Sequence, residues 1–337
     1  MIKLFPLKKN LIKALKIIIP MGIGIYLTYF FYSGLEPDQK KEIPVAFANA
    51  NYFWVLLSVL VAWLGHMSRA YRWKFLMEPL GYSPKLSSMY HSTMIGYVLN
   101  FTIPRSGEIA RPGFLAKKEG LPFDKVFGTV VAERIIDVVM LLTITFSTWA
   151  LVGKKVIEDL TKRDEASGPP YLLYAILGFG ILGILIFIFS KKIRSFVLDK
   201  LKGMWEGIKT IFTMKKRIPF ILHTLFIWIS YVLLMWLMAQ GVDGMEDIRI
   251  KELMVGFVVG AAAITITPGG IGLYPIFITA ALVYFGYDKG LASSFSIMSW
   301  VVQTIFLVVA GIYSLYAINI KFSNAEVKDQ LEKKKTK

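Results

Sequence analysis

No cysteine occurs in the 337 residues, which excludes disulfides and thiolate metal sites. Histidine is almost as scarce: His66, His91 and His223 are too scattered in the sequence to suggest a metal site. No Walker-type glycine loop is present, so ATP is not bound and split in the P-loop manner. Charge is also sparse, at 18% of residues, where a soluble globular chain carries about 25%. Acids number 23 against 39 bases. No metal and no cofactor are expected, and no residue is assigned a catalytic role, although Glu133 and Asp137 would be the acid–base or metal-binding carboxylates of an enzyme reading.

What the chain has instead is apolar length. Hydrophobic residues make up 55% of it, aromatics 14%, and the mean hydropathy is +0.56. Between clusters of charge lie apolar runs of roughly 17–25 residues, enough to span a bilayer. The expected fold is an all-α polytopic membrane protein. In that setting the net charge of +16 reads as positive-inside bias plus attraction to anionic lipid, not as a nucleic-acid surface. The basic start and apolar run of the N-terminus resemble a signal peptide. However, the one cleavage-like site, "AFANA" at 46–50, lies beyond the charged "EPDQKKE". The run is expected to stay as a first span.

Six full spans are expected, at 12–33, 52–74, 125–152, 170–190, 218–240 and 290–318. Two more apolar segments, 88–116 and 253–285, are broken by Pro and Gly near their middle. Loop charge alternates along the chain, with the 34–51 and 241–252 loops acidic and the N-terminal tail, 191–217 and the end of the chain basic. Both termini are then cytoplasmic in a cell membrane, provided each broken segment returns to the side it entered as a re-entrant hairpin. A shift of 164 residues places Gly96 on Gly260 and Pro104 on Pro268. Residues 1–153 and 154–320 accordingly read as two repeats of span, span, hairpin, span. Three crossings each make them inverted, a pattern that points to a transporter with its site between the breaks. Chance similarity of two kinks is the alternative. Residues 192–213 have an apolar stripe expected of an interfacial amphipathic helix, and 321–337 form a basic cytoplasmic tail.

Charge inside the apolar runs marks the candidate site. In "VVAERIIDVVM", Glu133 and Asp137 are spaced i, i+4 and share a face, with Arg134 between them. An ion near the bilayer centre costs about 2.5–3.5 kcal/mol even on the lenient insertion scale, so these acids need partners. The nearest in chain order are Arg105 and Arg111 in "YVLNFTIPRSGEIARPGFL". With Glu108 and Arg134 they form a cluster of three positive and three negative groups. It is expected either to lock the hairpin structurally or to exchange guanidinium groups between these acids and a substrate phosphate or carboxylate. Ser106 is placed to cap the half-helix after Pro104, leaving N–H groups aimed at the interior.

The second break, "TITPGGIGLYP", offers Gly269, Gly270 and Gly272 for close approach by a ligand or, equally, by a helix. Arg69, Arg72 and Lys74, with Tyr71 and Trp73, have the composition of any cytoplasmic interface, or of an entry port for an anionic headgroup. Tyr97, Asn100 and Gln303 are further candidates for lining a cavity.

These stretches carry a family resemblance. "RAYRW" at 69–73, "IGYVLNFTIPRSGEIARPGFL" at 95–115, "GTVVAERIID" at 128–137 and "TPGGIG" at 267–272 make the chain similar to the transmembrane, flippase-like region of lysylphosphatidylglycerol synthetases and its stand-alone relatives. The resemblance implies two re-entrant elements and the movement of a phospholipid or lipid-linked headgroup between leaflets. It also implies functional roles for Arg69, Arg72, Arg105, Glu108, Arg111, Glu133, Arg134 and Asp137. The sequence ends about 17 residues after the last span, so the aminoacyltransferase domain of the full synthetases is not expected.

The expected function is lipid translocation without ATP hydrolysis, with membrane lipids bearing phosphate headgroups as partners. Two alternatives stand beside it. One is an intramembrane enzyme acting on lipid-linked sugar or phosphate. The other is a non-catalytic partner of a lipid-synthesis enzyme, with homo-oligomerisation open in either case.

Overall fold

The computed structural model describes residues 5–103, 105–161 and 214–318, together with Ser190 and Ser195. The span expected at 170–190, the amphipathic helix at 192–213 and the tail at 321–337 lie outside the described residues, apart from those two serines, and so does Pro104. Among the described residues the chain is helical throughout. α1 is Phe5–Ser33, α2 Pro37–Asn49, α3 Tyr52–Met77, α4 Leu86–Thr102 and α5 Gly107–Glu119. α6 is Phe123–Thr161, α7 Arg217–Gln240, α8 Ile250–Ile266, α9 Leu273–Tyr284 and α10 Lys289–Ala317.

The distribution of polarity is that of a membrane protein. Arg69, Arg72, Glu133 and a set of serines are buried, while Tyr29, Phe146, Trp149, Val309 and Tyr316 are exposed. Among the described residues four helices (α3, α6, α7 and α10) are long and apolar enough to cross a membrane, and a fifth crossing is available if α1 and α2, bent by 109°, count as one. α2 replaces the loop expected at 34–51. Pro37 sits in its first turn, where no N–H is needed. The Glu36 N–H donates to Gln39 Oε1 at 3.0 Å, closing its start. Its low hydropathy hides it from a search for apolar runs.

The two broken segments fold back on themselves. α4 and α5 meet where a Cβ on Gly96 would lie 3.1 Å from the Arg111 Cβ, and one on Gly107 would strike the Gly96 carbonyl. α8 and α9 meet where a Cβ on Gly260 would come within 3.0 Å of the Tyr274 ring. Glycine at 96 and 260 is thus what lets each pair of arms close. The arms of 17 and 13 residues in one hairpin, and 17 and 12 in the other, are about 18–26 Å long at 1.5 Å per residue. Each is shorter than the roughly 30 Å hydrocarbon core.

Element bounds recur at a displacement of 164. Moved by that amount, Leu86–Thr102 becomes 250–266, the bounds of α8, and Tyr52–Met77 becomes 216–241, one residue wider at each end than α7. Apolar packing forms two buried clusters, each drawing on both halves of the chain: Phe220 joins the first, and Ala50 and Val55 the second. One buried cluster centres on Trp73, Met89, Leu115 and Val130, the other on Met235, Leu253, Ile278 and Phe295.

The hairpin tips touch. The Phe101 ring lies where a Cβ of Gly269 would have to be, and Trp300 Nε1 donates to the Gly269 carbonyl at 2.9 Å. α1 covers the second tip, with Gly272 packed under Leu27 and the Gly24 carbonyl.

Candidate functional site

The site is built where the end of α3 and the start of α5 converge on the middle of α6. On α6 the i, i+4 spacing puts Glu133 and Asp137 on one face, and both are buried. On α3, Arg69 and Arg72 are spaced i, i+3 and point at them. Arg69 Nη1 donates to Glu133 Oε1 at 2.7 Å and to Asp137 Oδ2 at 2.8 Å. Arg72 Nη2 donates to Asp137 Oδ1 at 2.9 Å and lies 3.2 Å from Glu133 Oε1. From α5, Arg111 Nη1 donates to Glu133 Oε1 at 3.0 Å, with Nη2 at 2.9 Å from Oε2. Its guanidinium also lies 4.0 Å over the Trp73 ring.

Surrounding groups fix these side chains. Tyr231 and Thr224 on α7 accept from Arg69 and Arg72 at 3.1 and 3.2 Å. Trp73 Nε1 is held by Thr129 Oγ1 at 2.8 Å. At the rim, Arg134 Nε lies 3.1 Å from Glu108 Oε2 and Nη1 lies 3.4 Å from Asp137 Oδ2. Both rim side chains are about a third exposed.

Two expectations change here. Arg105 does not pair with the acids: its side chain is exposed and has no ion-pair partner among the described residues. The places expected for it are taken by Arg69 and Arg72, whose surroundings are protein and not an interface; Trp73 is likewise fully buried. The cluster is therefore not neutral. Arg69, Arg72, Arg111 and Arg134 face Glu108, Glu133 and Asp137, so four guanidinium groups meet three carboxylates and one positive charge is left over. The reason lies in helix geometry. Arg69 and Arg72 are on a long helix packed along α7, which aims them inward, whereas Arg105 sits on the turn between α4 and α5.

The half-helix cap also differs. The Gly107 N–H donates to Asn100 Oδ1 at 2.7 Å, and the Ser106 hydroxyl donates back to the Leu99 carbonyl at 2.9 Å. The Glu108 and Ile109 amides bond to the Arg105 and Ser106 carbonyls. The start of α5 is thus self-satisfied, and the guanidinium groups, not free amides, carry the positive field.

A cleft of about 10 Å³, room for a water molecule, opens onto this cluster. Tyr97, Asn100, Glu108, Arg111 and Arg134 line it, over Gly96 and Gly107. Gly269, Gly270 and Gly272 do not reach it. They pack under Phe101, against Ile264 and Tyr274, and under α1 respectively. Gln303 has a buried Nε2 without a hydrogen-bond partner. Among the described residues no group of three or more His, Cys, Asp or Glu could hold a metal ion.

His66, set aside in the sequence as too far from other histidines for a metal site, lies beside the cluster. It is buried one turn before Arg69, its ring 4.9 Å from that of Tyr97 and stacked at 5.9 Å on Phe306, with Nδ1 unpartnered. The signal available was its i, i+3 spacing from Arg69.

Known proteins similar to this chain are membrane proteins and one named glycosyltransferase. The UPF0104 membrane protein MJ1595 of Methanocaldococcus jannaschii is 23% identical over 92% of this chain and 94% of its own length. The UPF0104 membrane protein PH1989 of Pyrococcus horikoshii is 23% identical over 84% and 90%. A protein named glycosyltransferase AglD, from Haloferax volcanii, is 23% identical over 87% of this chain, which spans 54% of that relative. No solved structure gives a significant match. The family match runs from residue 17 to residue 311, taking in both hairpins and every member of the arginine cluster, and the chain belongs to the family described as the lysylphosphatidylglycerol synthase TM region.

Proposed function

We propose that this protein translocates a lipid by its anionic headgroup, without hydrolysing ATP, and that the arginine cluster is where the headgroup phosphate docks. The observation that carries this reading is the unbalanced charge beside an open cleft: four guanidinium groups against three carboxylates. A buried excess charge is costly, and a phosphate offers the counter-charge and the planar, two-oxygen face that a guanidinium fork matches. Arg134 and Arg111 line the cleft, and Arg105 on the hairpin turn is a further cation on the approach. The two halves of the chain then act as inverted repeats with both termini cytoplasmic. The hairpins enter the membrane from opposite sides, and rocking about their touching tips exposes the site alternately.

The test uses purified protein in liposomes with fluorescent phosphatidylglycerol, scored by chemical quenching of the outer leaflet. Label should cross faster than in empty vesicles, and Arg134→Gln should slow it. If no anionic lipid, including the cell's own extract, crosses faster than in empty vesicles, the reading fails.

A second reading, glycosyl transfer to a lipid acceptor, is favoured by the similarity to the relative named a glycosyltransferase. Against it, the oxygens of Glu133 and Asp137 all face guanidinium groups. None is turned toward a substrate as a general acid or nucleophile would be. Sugar transfer by the purified chain, lost in Glu133→Gln, would favour that reading.

A further inference from the structure

A second polar cavity, of about 150 Å³, lies at the other end of α3. It opens between α2, the segment after α7 and the first turns of α10. Seventeen residues of helix separate Tyr52 from Arg69, so about 26 Å of α3 stands between this cavity and the arginine cluster.

Its polar lining is Glu42, Asn49, Asp243 and Ser294. Glu42, Asn49 and Asp243 are exposed, whereas Ser294 is buried at the floor, and three features mark the place as a candidate site. Ser294 is 1% exposed, and its hydroxyl has no hydrogen-bond partner; such a group calls for a water or an ion. No lysine or arginine lines the cavity. The nearby lysines are engaged elsewhere: Lys41 with Asp38, Lys40 with the Ser33 carbonyl and Lys289 with the Gly34 carbonyl. Finally, the Glu42 carboxylate is wedged against Gly290, where any Cβ would strike it, and Asp288 is already committed to the Gly290 and Leu291 amides. Neither Glu42 nor Asp243 has an ion-pair partner among the described residues. Two carboxylates therefore share a cavity with no cation of the protein's own.

We propose that this cavity binds a hard divalent cation, Ca²⁺ or Mg²⁺, through the carboxylates of Glu42 and Asp243, the amide oxygen of Asn49 and the hydroxyl of Ser294. All four donors are oxygens, the ligand type such ions select, and softer metals would want nitrogen or sulfur. The volume leaves space for several waters of about 30 Å³ each, so the ion keeps part of its hydration shell. Bound there, it ties together three separate stretches of chain: α2, the segment that follows α7, and α10. Because α2 continues from α1, and α1 covers the second hairpin tip, the ion would brace that tip from a distance.

The experiment uses the full chain in detergent, stripped with EDTA and exchanged into chelator-free buffer. Calorimetry and thermal unfolding are followed against CaCl₂ and MgCl₂ at constant ionic strength, with NaCl and methylammonium chloride as comparison arms. One saturable divalent site is expected, with a dissociation constant of about 10⁻⁴–10⁻³ M, typical of exposed modules. Glu42→Gln and Asp243→Asn should each weaken it at least tenfold, while their melting temperatures without metal stay near that of the parent. Ser294→Ala should weaken it several-fold. Absence of a saturable divalent response overturns the proposal. So does a response that survives the double variant Glu42→Gln/Asp243→Asn, or saturation by methylammonium in place of the metals. No lipid movement enters the measurement, so its outcome is independent of the headgroup reading.

Discussion

Arg105 and Gly269 occupy the same place in the two hairpin turns, 164 residues apart, and both are left-handed, with φ of 61° and 59°. Arg105 is the one non-glycine residue with positive φ among the described residues. A side chain in that conformation costs about 1–2 kcal/mol, so the turn holds an arginine where glycine would be easier. Backbone strain kept at one of two equivalent positions points to use of the side chain.

Arg105→Gly should accordingly separate stability from function. Relief of strain, less the added freedom of the unfolded chain, should raise stability by up to about 1 kcal/mol, seen as a higher melting temperature in detergent. Translocation of anionic lipid should fall, and Arg105→Lys should retain more of it. A lower melting temperature in the glycine variant would refute the strained turn. Unchanged transport would remove Arg105 from the lipid's path.

Burial makes the two acids of the cluster unequal to the one at its rim. Glu133→Gln removes the counter-charge of buried Arg69, Arg72 and Arg111 while leaving the guanidinium groups in place. The expected loss is about 3–5 kcal/mol, the usual cost of breaking a buried pair. Glu108→Gln, a third exposed and paired with Arg134 alone, should cost less than about 1 kcal/mol. Equal melting temperatures for the two variants would mean that water reaches Glu133.

The hairpin crossing is a sterically tight spot that one methyl group can probe. Gly107→Ala drives a Cβ into the Gly96 carbonyl, a backbone atom that cannot rotate away. Overpacking of this kind costs about 1–3 kcal/mol, more where the backbone must move. Gly128→Ala on α6 meets nothing within 4 Å and should stabilise by up to about 1 kcal/mol through helix propensity. Thermal unfolding of the pair checks the crossing directly.

How much of this was legible in the sequence follows from what each signal reports. Apolar length and its interruption by Pro and Gly located both hairpins, with Gly96 and Gly260 at matching crossings, because those signals are local. The i, i+4 acids were legible for the same reason. Their partners were not. Arg69 and Arg72, beside Tyr71, Trp73 and Lys74, have the composition of a membrane interface, and nothing local distinguishes that from a buried helix end. Chain proximity favoured Arg105 over them, but the turn carries it outward. Asn100 as the cap of α5 was equally hidden, since the bond spans a turn that had to be built first.

Acid sensitivity should arise at Glu252, at the start of α8. Burial alone would raise its carboxyl, but hydrogen bonds from the Arg249 side chain and backbone and from the Tyr287 hydroxyl outweigh this and hold it below its ordinary 4.5. An acid depressed in the folded state adds stability above its unfolded pKa and loses it as pH falls through the folded value. The contribution should therefore be complete at neutral pH and vanish progressively as pH falls below that ordinary value of 4.5. Glu252→Gln should melt lower than the parent at pH 7, and the difference should shrink on acidification. Tyr287→Phe removes one of the opposing hydrogen bonds, at 2.8 Å, so the folded pKa moves up toward the unfolded one; the contribution at pH 7 should shrink, and the pH at which it is fully lost should rise. A difference between Glu252→Gln and the parent that is constant from pH 7 down to pH 3 would show that the carboxylate's charge plays no part in anchoring α8.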